Sequence, residues 1–351
     1  MTELIPLPDA AENTVEAVVL DARPHELALA TPDSELTESA AARVADGWAA
    51  STRTGYTRDW ATFTAWCSSA SRTPLPATAE TLASYVDHLA TAAFAPATID
   101  RALGSIASRH AADGTAVSTK AARMALRSYR RQWAGAGGRK RQAPALSVDQ
   151  LRLMLDAAGD GLVGLRDRTL LLLGYAMMAR RSELAALDIA DVRQVPDGLE
   201  VFVVTSKTDK DSAGTVVAVP YGTHLATCPV RTVATYLATL ADAGVTAGPL
   251  LRSVDRHGRA AGTPDAAGRG SGRMSGAGIN LVVKKLATAA GIEGVSAHSL
   301  RAGPATAAAA AGVPRAWIAR QGRWSEQSTA IDSYIRPADA WRDNPMRKVG
   351  L

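Results

Sequence analysis

The stretch AHSLRAG, residues 297–303, places His298 and Arg301 three positions apart, on one face of any helix that contains them. Two readings fit this spacing: a solvated surface pair, or a clamp for a phosphate. A guanidinium donates from a planar fork and keeps its charge, which suits a phosphate. Pro304 follows, then an alanine-rich run to Ala311. Proline lacks an N–H and is tolerated in a helix's first turn. The stretch therefore predicts a helix that starts near His298 and aims its positive end at an anion.

Further cationic groups are concentrated upstream. STKAARMALRSYRRQW, residues 118–133, reads as a helix with Leu126, Tyr129 and Trp133 on one side. Arg123, Arg127, Arg130 and Arg131 mark the other side, with no acid between them. Such a face is either solvated or set against phosphates, and four arginines without an intervening acid favour phosphates. AGAGGRKRQAP, residues 134–144, is the clearest boundary in the chain. Its glycines predict flexibility, and Arg139, Lys140 and Arg141 make it cationic. The net charge is +5, but residues 1–40 hold nine acids against one base. Without them 38 bases face 25 acids, a net +13 on residues 41–351. An acidic tail on a basic body points to a polyanion partner.

The 351 residues are enough for two domains. Residues 1–40 carry four prolines and no clear period and are expected to be a disordered acidic tail. Residues 41–134 read as a helical domain. Its core stripes are Tyr56, Trp60, Phe63 and Cys67; Leu82, Val86 and Leu89 after a Thr78 cap; and Ile99, Leu103 and Ile106. Ser118 is the expected cap of the arginine-bearing helix. Residues 135–144 form the linker, and residues 145–351 a second, mainly helical domain. The second domain opens with a capping box, Ser147 with Gln150. RDRTLLLLGYAMMA is apolar all round and predicts a buried helix, and Ser182 is the expected cap of a short helix after it. LEVFVVTS and TVVAVP read as two strands flanking the loop KTDKDSAG. The Gly- and Arg-rich residues 252–278 predict an exposed loop. The acidic N-terminus predicts no secretory signal, and no apolar run reaches the roughly 20 residues of a membrane span. Cys67 and Cys228, far apart, predict packing residues in a reducing cytoplasm rather than a disulfide or zinc framework.

Five features occur in order: ARRSEL, Lys207 beside a strand hairpin, HSLR, GRW and SYIRP. Each is weak alone. As an ordered set over about residues 41–345 they resemble the tyrosine recombinase, or phage integrase, family, in the layout of its Cre-like members. The resemblance implies a mainly α fold with a small β-hairpin or sheet in the catalytic domain. It also implies a two-domain DNA clamp that joins a helical SAM-like core-binding domain to the catalytic domain.

Breaking a DNA phosphodiester needs a nucleophile, charge stabilisation on the non-bridging oxygens and a proton for the leaving oxygen. The resemblance implies that Tyr334 is the nucleophile, forming a 3′-phosphotyrosyl link, and that Arg180 and Arg301 hold the phosphate. Arg181 is the rival for the first of these roles. Glu183 either supports Arg180 or simply favours the start of its helix. Lys207 is implied as the general acid, with Lys210 its competitor in the same loop. His298 is implied to bond to the phosphate and assist proton transfer. Trp324 fills a slot that holds His or Trp, as a phosphate donor or as a wall for Tyr334. The chain departs from the pattern in having Met178 where many members have Gly. It also separates Trp324 from Tyr334 by ten positions, one more than the Cre-like spacing. The implied partner is double-stranded DNA with inverted-repeat sites, bound by four protomers, with no cofactor, metal or membrane. The implied setting is the cytoplasm, on the nucleoid, of a bacterium or phage host. Trp341, in the segment after Tyr334, is the expected dock on a neighbouring protomer. The alternatives are a type IB topoisomerase-like nick-and-reseal enzyme, a hairpin-end resolvase, or a DNA-binding protein with a relic site.

Overall fold

The computed structural model describes residues 36–139, 143–204, 214–263, 272–325, 327–335, 344, 346 and 349. The chain divides into two compact units between Lys140 and Arg141.

Among the described residues the first unit holds five helices: α1 (Glu38–Asp46), α2 (Ala50–Ser69), α3 (Ala79–Thr91), α4 (Pro96–Ala112) and α5 (Lys120–Gly135). Helix α1 starts inside the segment expected to be a tail, because Thr37 caps it by accepting from the Ala40 N–H. Residues 1–35 lie outside the described residues. Phe63 and Cys67 of α2, Leu82, Val86 and Leu89 of α3, and Ile99, Leu103 and Ile106 of α4 are buried together with Leu126 of α5. Tyr56 and Trp60 sit only half-buried. Buried polar groups in this core are paired. His110 accepts from the Ala77 N–H at Nε2 (2.9 Å), and its Nδ1 lies 2.8 Å from the Ile106 carbonyl. Asp59 of α2 takes both prongs of Arg101 of α4, at 2.7 and 2.9 Å. The N-cap of helix α5 is Thr119, one residue after the expected Ser118, and its hydroxyl accepts from Arg123 Nε (3.2 Å) instead of capping a backbone N–H.

The second unit holds α6 (Val148–Asp156), α7 (Gly161–Ala176), α8 (Arg181–Ala186), β1 (Val192–Val195), β2 (Gly198–Val203), β3 (Thr215–Pro220), α9 (Pro229–Asp242), α10 (Gly276–Ala289), α11 (Ser299–Ala310) and α12 (Arg315–Gly322). The capping box at α6 forms as the sequence predicts. Helix α7 is buried along most of its length, with Leu170, Leu171, Leu172 and Leu173 in the core. The sheet is antiparallel in the order β1-β2-β3, and its Val203↔Thr215 pair brings together the two ends of the loop that carries Lys207. Lys207 and Lys210 themselves lie outside the described residues. Strand β1 is a third strand beyond the two predicted. Its sequence VRQV is too polar to stand out, and pairing with β2 makes it a strand. Both cysteines are buried and unpaired. No helix among the described residues is long and apolar enough to cross a membrane.

Part of the Gly- and Arg-rich segment is not an exposed loop. Arg252 is buried, and Arg252↔Arg273 and Val254↔Ala260 form β-bridges. Arg273 donates to the carbonyls of Ala185 (2.9 Å) and Ala186 (2.8 Å) and pairs with Asp188. These bonds satisfy carbonyls left open at the C-terminus of α8 and fix that short helix in place.

Helix α11 packs against the Leu146 backbone through Gly303. A Cβ there would stand 2.2 Å from the Leu146 carbonyl oxygen and 2.9 Å from its nitrogen. Gly303→Ala gains helix propensity, about 1 kcal/mol, but must push backbone aside. The overpacking wins, so we expect a net loss of about 1–3 kcal/mol. Thermal unfolding checks this: a fall in Tm of several degrees is the expected outcome, and an unchanged or raised Tm contradicts it.

Candidate active site

Four helix ends and one turn meet in the second unit: the C-termini of α7 and α12, the N-termini of α8 and α11, and the turn at residues 332–335. Each end brings unsatisfied backbone groups, and the side chains that satisfy them are those of the site.

Helix α7 ends in a left-handed stop. Ala179 N–H bonds to the Gly174 carbonyl (2.9 Å) and Met178 N–H to that of Tyr175 (3.0 Å), with Met178 at φ +50°. Glycine is the usual residue at such a stop. Met178, which replaces it here, carries a steric cost of roughly 1 kcal/mol and is buried against Trp324 and Ile331. The remaining carbonyls of the stop all find side-chain donors. Gln321 Nε2 reaches Ala176 (2.9 Å), Arg323 Nη1 reaches Met177 (3.1 Å) and Arg301 Nη1 reaches Met178 (2.7 Å). The negative end of α7 is thus met by two guanidinium groups.

Helix α8 is capped by Arg180, not by Ser182 as the sequence suggested. The Glu183 carboxylate takes over the capping role. Its Oε2 accepts the Arg180 backbone N–H (2.9 Å), and its Oε1 accepts Arg180 Nη1 (2.6 Å). Oε2 also accepts Arg323 Nη2 at 2.6 Å. Burial by itself pushes the Glu183 carboxyl up. The charge of Arg323 and the bonds from Arg180 and Arg323 outweigh that and hold it below the usual carboxylate range.

His298 is the N-cap of α11, in helical conformation. Pro304 lies in the second turn rather than the first. Arg301 is 2% exposed, and its guanidinium stacks 3.8 Å from the centroid of the Trp324 ring. Its Nη2 is buried and has no partner among the described residues. Desolvation first, then the Arg180 charge, push Arg301 down to about 9, so it stays a cation at neutral pH. A buried guanidinium N–H can donate to an anionic oxygen at little further desolvation cost.

Tyr334 stands in the terminal turn, half-buried, with its Oη 2.6 Å from His298 Nε2. The same helix holds the tyrosine twice, because Thr306, two turns after His298, donates to the Tyr334 carbonyl (3.2 Å). Desolvation and then the charges of Arg301 and Arg180 hold the His298 pKa below 6.5. Desolvation raises the Tyr334 phenol above 10, against the opposing pull of Arg301 and Arg180. The imidazole is therefore neutral near pH 7 and can accept the phenol's proton. Trp324 packs at 5.7 Å from the Tyr334 ring, and its indole makes no hydrogen bond among the described residues. It walls both Arg301 and Tyr334 and keeps a donor open.

Arg180, Glu183, His298, Arg301, Trp324 and Tyr334 are thus brought together. Arg323, Thr306 and the carbonyls of Met177 and Met178 complete the site and were missed in the sequence, although Arg323 stands inside the GRW motif. Among the described residues no cluster of three or more His, Cys, Asp and Glu is poised for a metal.

The arginine face of α5 is less free than its sequence implies. Asp100 of α4 supplies the missing acid, pairing with Arg130 (2.9 Å) and Arg123 (3.5 Å). Arg127 and Arg131 are exposed and make no bond among the described residues. Arg139 donates to the Ala134 and Gly138 carbonyls at the end of α5. Lys140 and Arg141 lie outside the described residues.

No protein-family model matches the chain. It is 30% identical over 325 residues, 90% of each chain, to an integrase/recombinase of Selenomonas ruminantium described as a xerD homolog. In fold it is similar to lambda integrase, solved as a dimer bound to a COC′ core site. That likeness has a TM-score of 0.55 at 14% identity and covers 84% of this chain and 92% of that one.

Proposed function

Because the chain belongs to the integrase/recombinase family, the tyrosine recombinases, we propose that it is a site-specific DNA recombinase that cuts and rejoins duplex DNA through a 3′-phosphotyrosyl intermediate. The observation that carries this reading is the 2.6 Å bond between Tyr334 Oη and His298 Nε2, beside a buried arginine with an open donor.

The chemistry runs as a phosphoryl transfer. Tyr334 Oη bonds to the scissile phosphorus as its proton passes to neutral His298. The bond from phosphorus to the 5′-oxygen breaks, and Lys207 gives that oxygen a proton. Arg180 and Arg301 hold the non-bridging oxygens where negative charge accumulates. Glu183 keeps Arg180 in place, and Trp324 holds Arg301 flat and offers its N–H to a phosphate oxygen. In the return step a 5′-hydroxyl attacks phosphorus and gives its proton to the Lys207 amine, the bond from phosphorus to Tyr334 Oη breaks, and the phenol leaves with the proton held by His298. Bond energy is kept in the covalent link, so religation needs no nucleotide.

Residues 41–134 act as the helical DNA-binding domain and residues 145–351 as the catalytic domain. Arg127 and Arg131, with free guanidinium groups, carry most of the phosphate contact from α5. Arg123 and Arg130 contribute by exchanging Asp100 for a phosphate, and Arg139, Lys140 and Arg141 add the charge of the linker. Four protomers on two inverted-repeat sites, in the cytoplasm, complete the reading. The Trp341 contact belongs to a segment outside the described residues.

A duplex nicked near the cleavage point traps the adduct and tests the proposal. A Tyr334-dependent covalent complex supports it, and retained binding without any adduct leaves only a DNA-binding protein. Strand exchange between two duplexes then separates a recombinase from a nick-and-reseal enzyme.

The acid limb of the pH profile is a further expected result. Only neutral His298 accepts the phenol proton, and its pKa is held below 6.5. Adduct formation should therefore keep most of its rate at pH 6.5 and fall only as pH drops further. His298→Ala should lower the rate and remove that limb. A limb centred above 6.5 contradicts the assignment.

A further inference from the structure

Helix α12 ends as α7 does. Trp324 N–H bonds to the Ala319 carbonyl (2.9 Å) and Arg323 N–H to that of Arg320 (3.1 Å), with Arg323 at φ +55° and ψ +45°. Glycine is favoured at such a position, so an arginine there calls for a role in its side chain. That side chain turns inward and is 4% exposed. Nη1 donates to the carbonyls of Met177 (3.1 Å) and Gln321 (2.9 Å), and Nη2 donates to Glu183 Oε2 (2.6 Å).

Glu183 is 1% exposed and stands between two guanidinium groups. The Arg180 guanidinium is bound to it through Nη1 alone, beside the Arg180 backbone N–H on Oε2, and the Arg180 Nε and Nη2 make no bond among the described residues. An isolated arginine–carboxylate pair favours a two-pronged fork, which would commit two guanidinium nitrogens to the acid. Arg323 and the Arg180 backbone N–H together fill the oxygen that the second prong would need.

We propose that Arg323 is a positioning residue. By taking Glu183 Oε2 and the Met177 carbonyl, it limits the Arg180 guanidinium to one bond with Glu183 and so keeps the other guanidinium donors of Arg180 directed at the scissile phosphate. This inference rests on the proposed function and adds a residue that acts only through Glu183 and Arg180.

The test is a double-mutant cycle on the full chain, read as the single-turnover rate of covalent adduct formation on a nicked duplex, with DNA affinity and Tm measured beside it. Arg323→Gly suits the left-handed backbone and removes the whole side chain with its guanidinium. In the parent background it should slow adduct formation about 10²-fold, on the scale of one lost oxyanion donor. Binding should change by less than about threefold, because the Arg323 side chain is buried and bonded within the protein. In the Arg180→Ala background the same change should add less than about threefold, since the effect passes through Arg180. Arg323→Lys, which keeps a charge for Glu183, should recover part of the rate. If the Gly variant does not fold, the cycle is run with Lys, and the same non-additivity is required. Losses that multiply in the double variant, or an Arg323→Gly rate equal to the parent's, overturn the inference while leaving the proposed function standing. No adduct from the parent overturns both.

Discussion

Tyr334→Phe should lose covalent adduct formation by at least about 10⁴-fold, the scale on which removal of a nucleophile is felt. Among the described residues the groups beside the phenol are arginines, an imidazole that already serves it, an indole, and the Ser333 hydroxyl, which donates to the Ala330 carbonyl and has no base of its own. The variant should fold. Tyr334 is held by its backbone as well, through the Thr306 hydroxyl on its carbonyl and its own N–H on Ile331. The lost bond to His298 is partly exposed and contributes only about 1 kcal/mol. Denaturing gels of nicked duplex incubated with either protein provide the measurement, with a binding assay and Tm as controls. A Phe variant that binds and still cuts at the parent's rate ends the reading of this site.

Arg301→Lys is expected to have the second largest effect, a loss of about 10²–10³-fold in adduct formation, as for one preorganised donor to a developing charge. Charge is kept, so charge alone is not the issue. An ammonium is a point donor and cannot serve the Met178 carbonyl and a phosphate oxygen in one plane while lying flat on Trp324. It also leaves the Met178 carbonyl at risk of burial without a partner, which costs about 1–3 kcal/mol. Lower Tm and slower cleavage should therefore appear together. A Lys variant that cleaves within a few-fold of the parent would show that Arg301 holds no phosphate.

The two largest effects fall on residues that the sequence brings forward through its resemblance to a family, while the Arg323 effect does not. HSLR and SYIRP are short motifs whose residue types already limit the chemistry, and the spacing of His298 and Arg301 is a helical period. The apolar stripes at Phe63, Leu82, Val86, Ile99 and Leu103 are legible for the same reason, since burial on one side of a helix repeats every 3.6 residues. Ser182 was misplaced as a cap because a hydroxyl before a helix is the commoner device. Here a buried glutamate does the same work from inside the helix. The arginine face of α5 looked free of acids because only its own segment was in view.

The helical class, the apolar stripes and the net positive charge of residues 41–351 were therefore set by local chemistry, namely side-chain type, periodicity and charge, each read within a few residues, while the candidate catalytic groups came forward through the resemblance of their ordered motifs to a family. Which arginine does what was decided by the tertiary structure. Arg301 meets the Met178 carbonyl across 123 positions, and Arg323 meets Glu183 across 140. Asp100 meets Arg130 across 30. The physical reason is that a helix end leaves carbonyls and N–H groups that must be satisfied, and only folding determines which distant side chain arrives to satisfy them. Arg323 in the linear chain is one of many arginines. At the left-handed end of α12 it becomes the group that shares a carboxylate with Arg180.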